Sequence, residues 1–124
     1  MDGRNYKRII NIIYSYIDSS KLTSKVYHDE NWQGVSEIRK IVDKALEVAG
    51  KIYGEVFTSY ISVENGGYGQ SKDGLSSWKD YILNIDDEGG KRIITGTITC
   101  SFCGTVKDPM NAYDCTVVIY PNVD

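Results

Sequence analysis

Three cysteines and one histidine are the residues of this sequence whose types and spacing best fit a chemical site. Cys100 and Cys103 are separated by two residues and followed by Gly104, which is the spacing of a zinc knuckle. A structural zinc takes four ligands, and Cys115 and His28 would complete the set. The chain contains only one such knuckle, and residues three apart on an extended strand point to opposite faces. We therefore predict no metal site and keep a zinc-stabilised structural module as an alternative interpretation.

The other candidates for catalysis lack the partners that catalysis needs. His28 lies in a polar segment, where a lone histidine is usually an ordinary surface residue, and no serine lies in a nucleophile-elbow sequence. The glycines of residues 65–69 suit a phosphate-binding loop, but no Gly-Lys-Ser/Thr motif and no helix pattern follows them. We interpret this run as part of a flexible loop that exposes Tyr68. The sequence therefore predicts no catalytic residue, no cofactor and no enzymatic activity.

The composition of the chain excludes several classes of protein. Its 124 residues have a formal net charge of −3, and the basic residues are scattered. A protein that binds a nucleic-acid backbone normally has the opposite sign and a basic patch. No apolar stretch approaches the ~18 residues of a membrane helix, and the N-terminal segment lacks the features of a signal peptide. Together with the odd number of cysteines, this predicts a cytoplasmic protein without a disulfide framework.

Apolar residues at helical spacing predict two helices in the N-terminal half. The first covers residues 3–18. The second covers residues 35–53, with an apolar stripe on one side and charged residues on the other. Residues 21–34 have no clear period, so we expect an irregular connection there with room for a short turn of helix.

After Gly54 the apolar period changes to two, which is typical of strands. The predicted strands are residues 55–64, 78–86, 92–106 and 113–120, and residues 65–74 are predicted to form a flexible loop. Short connections between consecutive strands favour an antiparallel meander. The predicted fold class is therefore α+β, with two N-terminal helices packed on one face of a four-stranded antiparallel β-meander (α-α-β-β-β-β). We expect a single domain over residues 1–124.

The sheet face turned away from the helices is the candidate binding surface. Threonine and tyrosine recur there, either because both are good strand formers or because the face contacts a partner or a second copy of the chain. Acidic residues such as Asp80, Asp86 and Asp114 are expected to be solvated charges at turns and strand edges. Residues of this face and exposed aromatic residues together make the predicted partner-binding set: Tyr60, Tyr68, Thr97, Thr99, Trp78 and Trp32.

The size, charge and domain organisation of the chain supply the first functional hypothesis. As a short, acidic, one-domain protein without a catalytic signature, it resembles the small accessory proteins of phages and mobile elements. That resemblance implies a non-enzymatic domain that binds and blocks a host defence protein, as anti-CRISPR inhibitors do. An alternative is a small-ligand or nucleotide-binding protein, with a pocket between helices and sheet or at a homodimer interface. Trp32, Trp78 and the glycine-rich loop would line that pocket.

Overall fold

Three helices form the N-terminal half of the protein. The computed structural model describes residues 3–27, 34–53, 60–87, 89–105 and 108–121. The helices are α1 (Gly3–Ser20), α2 (Leu22–Tyr27) and α3 (Val35–Tyr53). The short helix α2 lies in the connection where the sequence left room for a short turn of helix, and it forms because Leu22 and Val26, four residues apart, both enter the core. His28 and Trp32 lie outside the described residues.

The two long helices are amphipathic, as their apolar spacing predicts. Their buried residues are Ile9, Ile10, Ile13 and Ile17 of α1, and Ile38, Ile41, Val42, Ala45, Leu46 and Ala49 of α3. Lys21 adopts a left-handed backbone conformation (φ 55°) between α1 and α2, which ends α1 and redirects the chain. None of the helices in the described ranges has the length and apolar character needed to cross a membrane.

Four strands form an open antiparallel sheet after the helices. They are β1 (Tyr60–Gln70), β2 (Ser76–Asp86), β3 (Arg92–Gly104) and β4 (Pro109–Pro121), and their spatial order follows the sequence. Alternate side chains point to the same face, so one set enters the core. The buried residues of the two central strands include Tyr81, Leu83, Ile85, Ile94, Ile98, Cys100 and Phe102. These side chains join those of the helices in one cluster, and the helices therefore cover one face of the sheet.

The edge strands β1 and β4 differ from the sequence-based expectation at their ends. β1 continues to Gln70, so residues 65–70 belong to a strand and not to a flexible loop. Gly66 and Gly67 lie opposite the single residue Asp80 and form a bulge between Asn65 and Tyr68, after which β1 pairs again with β2. β4 begins at Pro109, four residues before the predicted start of the strand at residue 113. Glycine and proline signal a turn locally, but pairing with the neighbouring strand decides the outcome here.

Backbone groups of both edge strands form hydrogen bonds with side chains of a helix. On β4, the Tyr14 hydroxyl of α1 accepts a hydrogen bond from the Ile119 N–H (2.8 Å) and donates one to the Ile119 carbonyl oxygen (3.2 Å). On β1, the Arg39 guanidinium of α3 donates to the Ile61 carbonyl oxygen (2.8 Å). Because both polar groups of Ile119 point away from β3, Ile119 and Gly96 form a non-hydrogen-bonded pair of the ladder. Every second residue pair along β3 and β4 is therefore also a non-hydrogen-bonded pair.

Candidate functional site

The sheet face opposite the helices is accessible to solvent, and we call it the open face. Residues paired directly across antiparallel strands share one side of the sheet, so the register defines its members. The open face includes Tyr60, Ser62, Glu64, Ser76, Trp78, Asp80, Ile82, Asn84, Asp86, Arg92, Thr95, Thr97, Thr99, Ser101, Cys103, Asp114, Thr116 and Val118. None of these side chains is buried. The open face is thus a broad surface with all four strands contributing.

The structure brings most of the predicted partner-binding residues onto this surface. The open face contains Tyr60, Trp78, Thr97 and Thr99. Tyr68 pairs with Lys79 on the helix side of the sheet, but it lies beyond the bulge and is 72% exposed. Trp32 falls outside the described residues. Tyr68 therefore belongs to the end of the β1–β2 hairpin and not to the open face.

Trp78 occupies a fixed place on the open face. Its cross-strand partner on β1 is Gly69, and a methyl group at Gly69 would overlap the indole ring. The indole therefore lies over the Gly69 backbone, where any side chain would displace it. Trp78 is still 38% exposed. A rigid, partly exposed aromatic ring of this kind makes large contacts at a small cost in conformational entropy.

Two cross-strand hydrogen bonds order the polar part of the open face. The Thr99 hydroxyl donates to the Asp80 carboxylate, and the Thr95 hydroxyl donates to the Asn84 side-chain oxygen, both at 2.6 Å. Thr97 lies between these threonines on β3 and is exposed. Side chains that are already held in one conformation lose less entropy when a partner binds.

The set of binding residues predicted from the sequence does not include the apolar residues of the open face. Ile82 and Val118 flank Thr97 on the two neighbouring strands, and each is more than a third exposed. The sequence does contain a signal for them. In β2, Ile82 lies between Tyr81 and Leu83, and only one set of an alternating strand can enter the core. Ile82 must then face outward.

The open face is acidic. Its carboxylates are Glu64, Asp80, Asp86 and Asp114. Of the two basic residues in the described strands, Arg92 pairs with Asp86 (3.1 Å), and Lys79 lies on the helix side, where its Nζ is 5.4 Å from the centroid of the Tyr81 ring. The charges that the sequence analysis assigned to separate turns and edges therefore share one surface.

The turn of the β1–β2 hairpin is closed by hydrogen bonds. The Ser71 N–H donates to the Ser76 carbonyl oxygen (2.9 Å), and the Ser71 hydroxyl donates to the Asp73 carboxylate (2.6 Å). The Leu75 N–H also donates to that carboxylate (3.0 Å). These bonds, the one from Ser71 foremost, lower the pKa of Asp73. The ordered turn exposes Leu75, which is 71% accessible.

The cysteines divide between the two sides of the sheet. Cys100 and Cys115 pair across β3 and β4 on the helix side, and their sulfur atoms are 3.8 Å apart. Cys103 pairs with Ser76 on the opposite side, as alternation along a strand predicts. No group of three potential metal ligands occurs within the described ranges, and His28 lies outside them. The three thiols cannot bind one zinc ion together without breaking β3.

Two of the clefts in the described part of the chain lie at junctions of helices and sheet. The larger, about 410 Å³, is lined by Val35, Ser36, Val63, Glu64 and Asn65. The α2–β4 cleft, about 290 Å³, is lined by Ile17, Asp18, Lys21, Leu22, Thr23, Ser24, Ala112, Tyr113, Asp114 and Cys115. Neither is lined by Trp78 or by the glycines of β1. The lining expected for a nucleotide site does not assemble there, and Trp32 lies outside the described residues.

Comparison with protein-family models, with curated proteins and with solved structures finds no match to this chain. The open face, the hairpin end and the paired cysteines are therefore interpreted on their own geometry.

Proposed function

We propose that this protein is a non-enzymatic binding domain whose open face docks against a basic surface of a larger protein. The observation that carries the proposal is a broad, accessible sheet face that combines aromatic and apolar contacts with four carboxylates. The aromatic contact is Trp78, and the apolar contacts are Ile82 and Val118. Aromatic residues surrounded by polar groups are typical of protein interfaces.

The size of the open face supports this proposal. Four strands of at least 11 residues each cover roughly 700 Å², given the usual strand spacing and rise per residue. A standard protein–protein interface takes about 800 Å² from each partner. The open face therefore approaches the area that a specific complex needs.

Charge selects the class of partner. Glu64, Asp80 and Asp114 would be attracted to lysine and arginine side chains, and Asp86 is already paired with Arg92. A second copy of the same face would bring like charges together, which disfavours a homodimer through this surface. A nucleic acid is disfavoured for the same reason. A basic protein surface remains as the occupant with complementary charge.

The proposed mode of action is occlusion. Basic surfaces commonly bind nucleic acid, so a partner covered by the open face would lose access to that ligand. This agrees with the inhibitory role implied by the format of the chain, and a nucleic-acid-binding host defence protein is the first class of partner to test.

The test compares the tagged wild-type protein with two charge variants in capture from a host lysate. Glu64→Lys with Thr97→Arg places positive charge on the open face at two exposed positions. Glu47→Lys with Ser15→Arg makes the same change of charge at exposed positions of α3 and α1 and is the matched control. The captured protein is then purified, and its dissociation constant is measured for all three chains.

We expect the wild type and the helix control to bind with similar affinity and the open-face variant to bind at least about tenfold more weakly, a difference of about 1.4 kcal/mol. Binding of the wild type should also weaken as the salt concentration rises. Equal affinity of the open-face variant, or loss of binding in the helix control alone, would place the contact elsewhere and refute the proposal.

A further inference from the structure

Cys100 and Cys115 are placed so that a disulfide can form between them. Gly96 and Ile119 form a non-hydrogen-bonded pair, and the unbroken register to Cys100 and Cys115 gives this pair the same character. The backbone of Cys115 supports this assignment, because its N–H donates to the Asp114 carboxylate (2.8 Å) of its own strand. The Cα atoms of such pairs lie about 4.5 Å apart, within the range that a disulfide spans. The sulfur atoms, 3.8 Å apart, need to approach each other while the strands keep their places.

The two thiols differ in their access to solvent. Cys100 is completely buried, whereas Cys115 is half-buried and lines the α2–β4 cleft. A small molecule that enters this cleft of about 290 Å³ therefore reaches Cys115 first. Cys100 is buried and does not line this cleft.

A buried hydroxyl accompanies the pair. Thr23 of α2 is 8% exposed, and its side-chain hydroxyl has no hydrogen-bond partner in the described chain. It lies close enough to both sulfur atoms to lower the pKa of each thiol. The pKa of Cys115 is lowered chiefly by a hydrogen bond from Cys100, and the pKa of Cys100 is raised by that bond and by burial. Because Cys115 is also the more exposed of the two cysteines, it is the thiol that more readily becomes a thiolate, the reactive form.

We propose that Cys115 and Cys100 form a redox-active dithiol site, in which Cys115 attacks a low-molecular-weight disulfide in the α2–β4 cleft and Cys100 then closes an internal disulfide. Both sulfur atoms lie on the helix side of the sheet, away from the open face, and Asp114 on the edge strand β4 borders both the open face and the cleft. Its substrate class is a small disulfide of the type RS–SR.

The reaction balances as two thiol–disulfide exchanges. The Cys115 thiolate attacks one sulfur of RS–SR, the S–S bond breaks, and RS⁻ leaves and takes up a proton. The Cys100 thiol then loses its proton and attacks the Cys115 sulfur of the mixed disulfide, which releases the second RSH. The two thiols are oxidised by two electrons to one disulfide, and RS–SR is reduced to two RSH.

The test uses the full-length reduced protein and oxidised glutathione as the probe. The products are followed by intact mass spectrometry and by peptide mapping without reduction. Three variants are compared, namely Cys100→Ser, Cys115→Ser and Cys103→Ser, with Cys103 as the matched control because it lies on the other side of the sheet. Cys100→Ala replaces Cys100→Ser if circular dichroism shows that the buried serine disturbs folding.

We expect the wild type and Cys103→Ser to lose the mass of two hydrogens and to yield a Cys100–Cys115 cross-linked peptide. Cys100→Ser or Cys100→Ala should instead accumulate one glutathione on Cys115, because no second thiol resolves it. Cys115→Ser should leave Cys100 unmodified. A wild type that stays reduced, or that carries glutathione only on Cys103, would overturn the proposal, and the peptide map of the wild type decides this without any variant.

Discussion

Gly96 shows how a single residue sets the spacing of two strands. A Cβ atom at this position would overlap the Val118 carbonyl oxygen and would lie 2.8 Å from the Ile119 Cα. Both are backbone atoms, so β4 would have to move away from β3. We expect Gly96→Ala to lower the free energy of unfolding by about 1–3 kcal/mol, as overpacking usually does. The measurement is denaturant unfolding.

The matched control for Gly96 is Gly67→Ala. A Cβ atom at Gly67 would meet no atom within 4 Å. Its effect on the free energy of unfolding should stay within about 0.5 kcal/mol, as is usual for the surface. Equal losses in the two variants would show that close approach of β3 and β4 is not what requires glycine at position 96.

Tyr14 is a second residue with a defined structural role, since its hydroxyl binds both polar groups of Ile119. Tyr14→Phe leaves these groups without that partner, and we expect a loss of about 1–2 kcal/mol in the free energy of unfolding. Tyr16→Phe is the control, because no hydrogen bond of its hydroxyl occurs within the described ranges. Hydrogen exchange of the Ile119 amide should accelerate in Tyr14→Phe alone. An unchanged exchange rate would show that the Tyr14 hydroxyl does not protect the Ile119 amide.

At the scale of secondary-structure elements, the turn of the β1–β2 hairpin depends on the Asp73 carboxylate. Ser71→Ala removes the hydroxyl that contributes most to the lowered pKa of Asp73, so this pKa should rise toward its usual value. Carboxyl NMR titration measures it, with Lys72→Ala in the same turn as the control, expected to change it less. Because the folded-state pKa is lowered, this contribution to stability is present above the unfolded-state pKa and is lost as pH falls through the folded-state value. An equal rise in both variants would contradict this assignment.

The alternation of side chains along β3 leads to a prediction about zinc binding. Its alternation places Cys100 and Cys103 on opposite sides of the sheet, so a structural zinc would lack the ligands it needs. We expect that a chelator leaves the unfolding midpoint unchanged and that native mass spectrometry shows no bound zinc. A chelator-sensitive midpoint would mean that β3 opens to bind metal, because structural zinc contributes directly to folding.

The elements also show what the sequence could reveal. Periods of helical spacing and of two residues predicted both long helices and the four strands, because burial of one stripe or face governs each of them. The bulge in β1 could not be predicted, since Gly66 and Gly67 favour a loop until pairing with β2 is known. The acidic character of the open face could not be predicted for the same reason. Glu64, Asp80 and Asp114 come from three strands, and only the register places them on one surface.

At the scale of the whole molecule, the distribution of charge predicts how the protein associates. The open face is acidic, so two copies that meet through it repel each other, and salt screens this repulsion beyond about 10 Å at 0.1 M. We expect a monomer at low salt in sedimentation velocity, and self-association that grows as salt rises. Binding to a basic partner should respond in the opposite direction. The sign of the salt effect therefore distinguishes the two kinds of contact.

Neutral variants test whether the open face causes this behaviour. Glu64→Gln with Asp114→Asn removes two exposed charges from that face, while Asp43→Asn with Glu47→Gln removes two from the exposed side of α3. Since both pairs change the net charge equally, a general charge effect would act on both. We expect only the open-face pair to self-associate at low salt, because only there does repulsion oppose the contacts of Ile82 and Val118. Dimerisation of the wild type at low salt would instead make a second copy of this chain the natural occupant of the sheet.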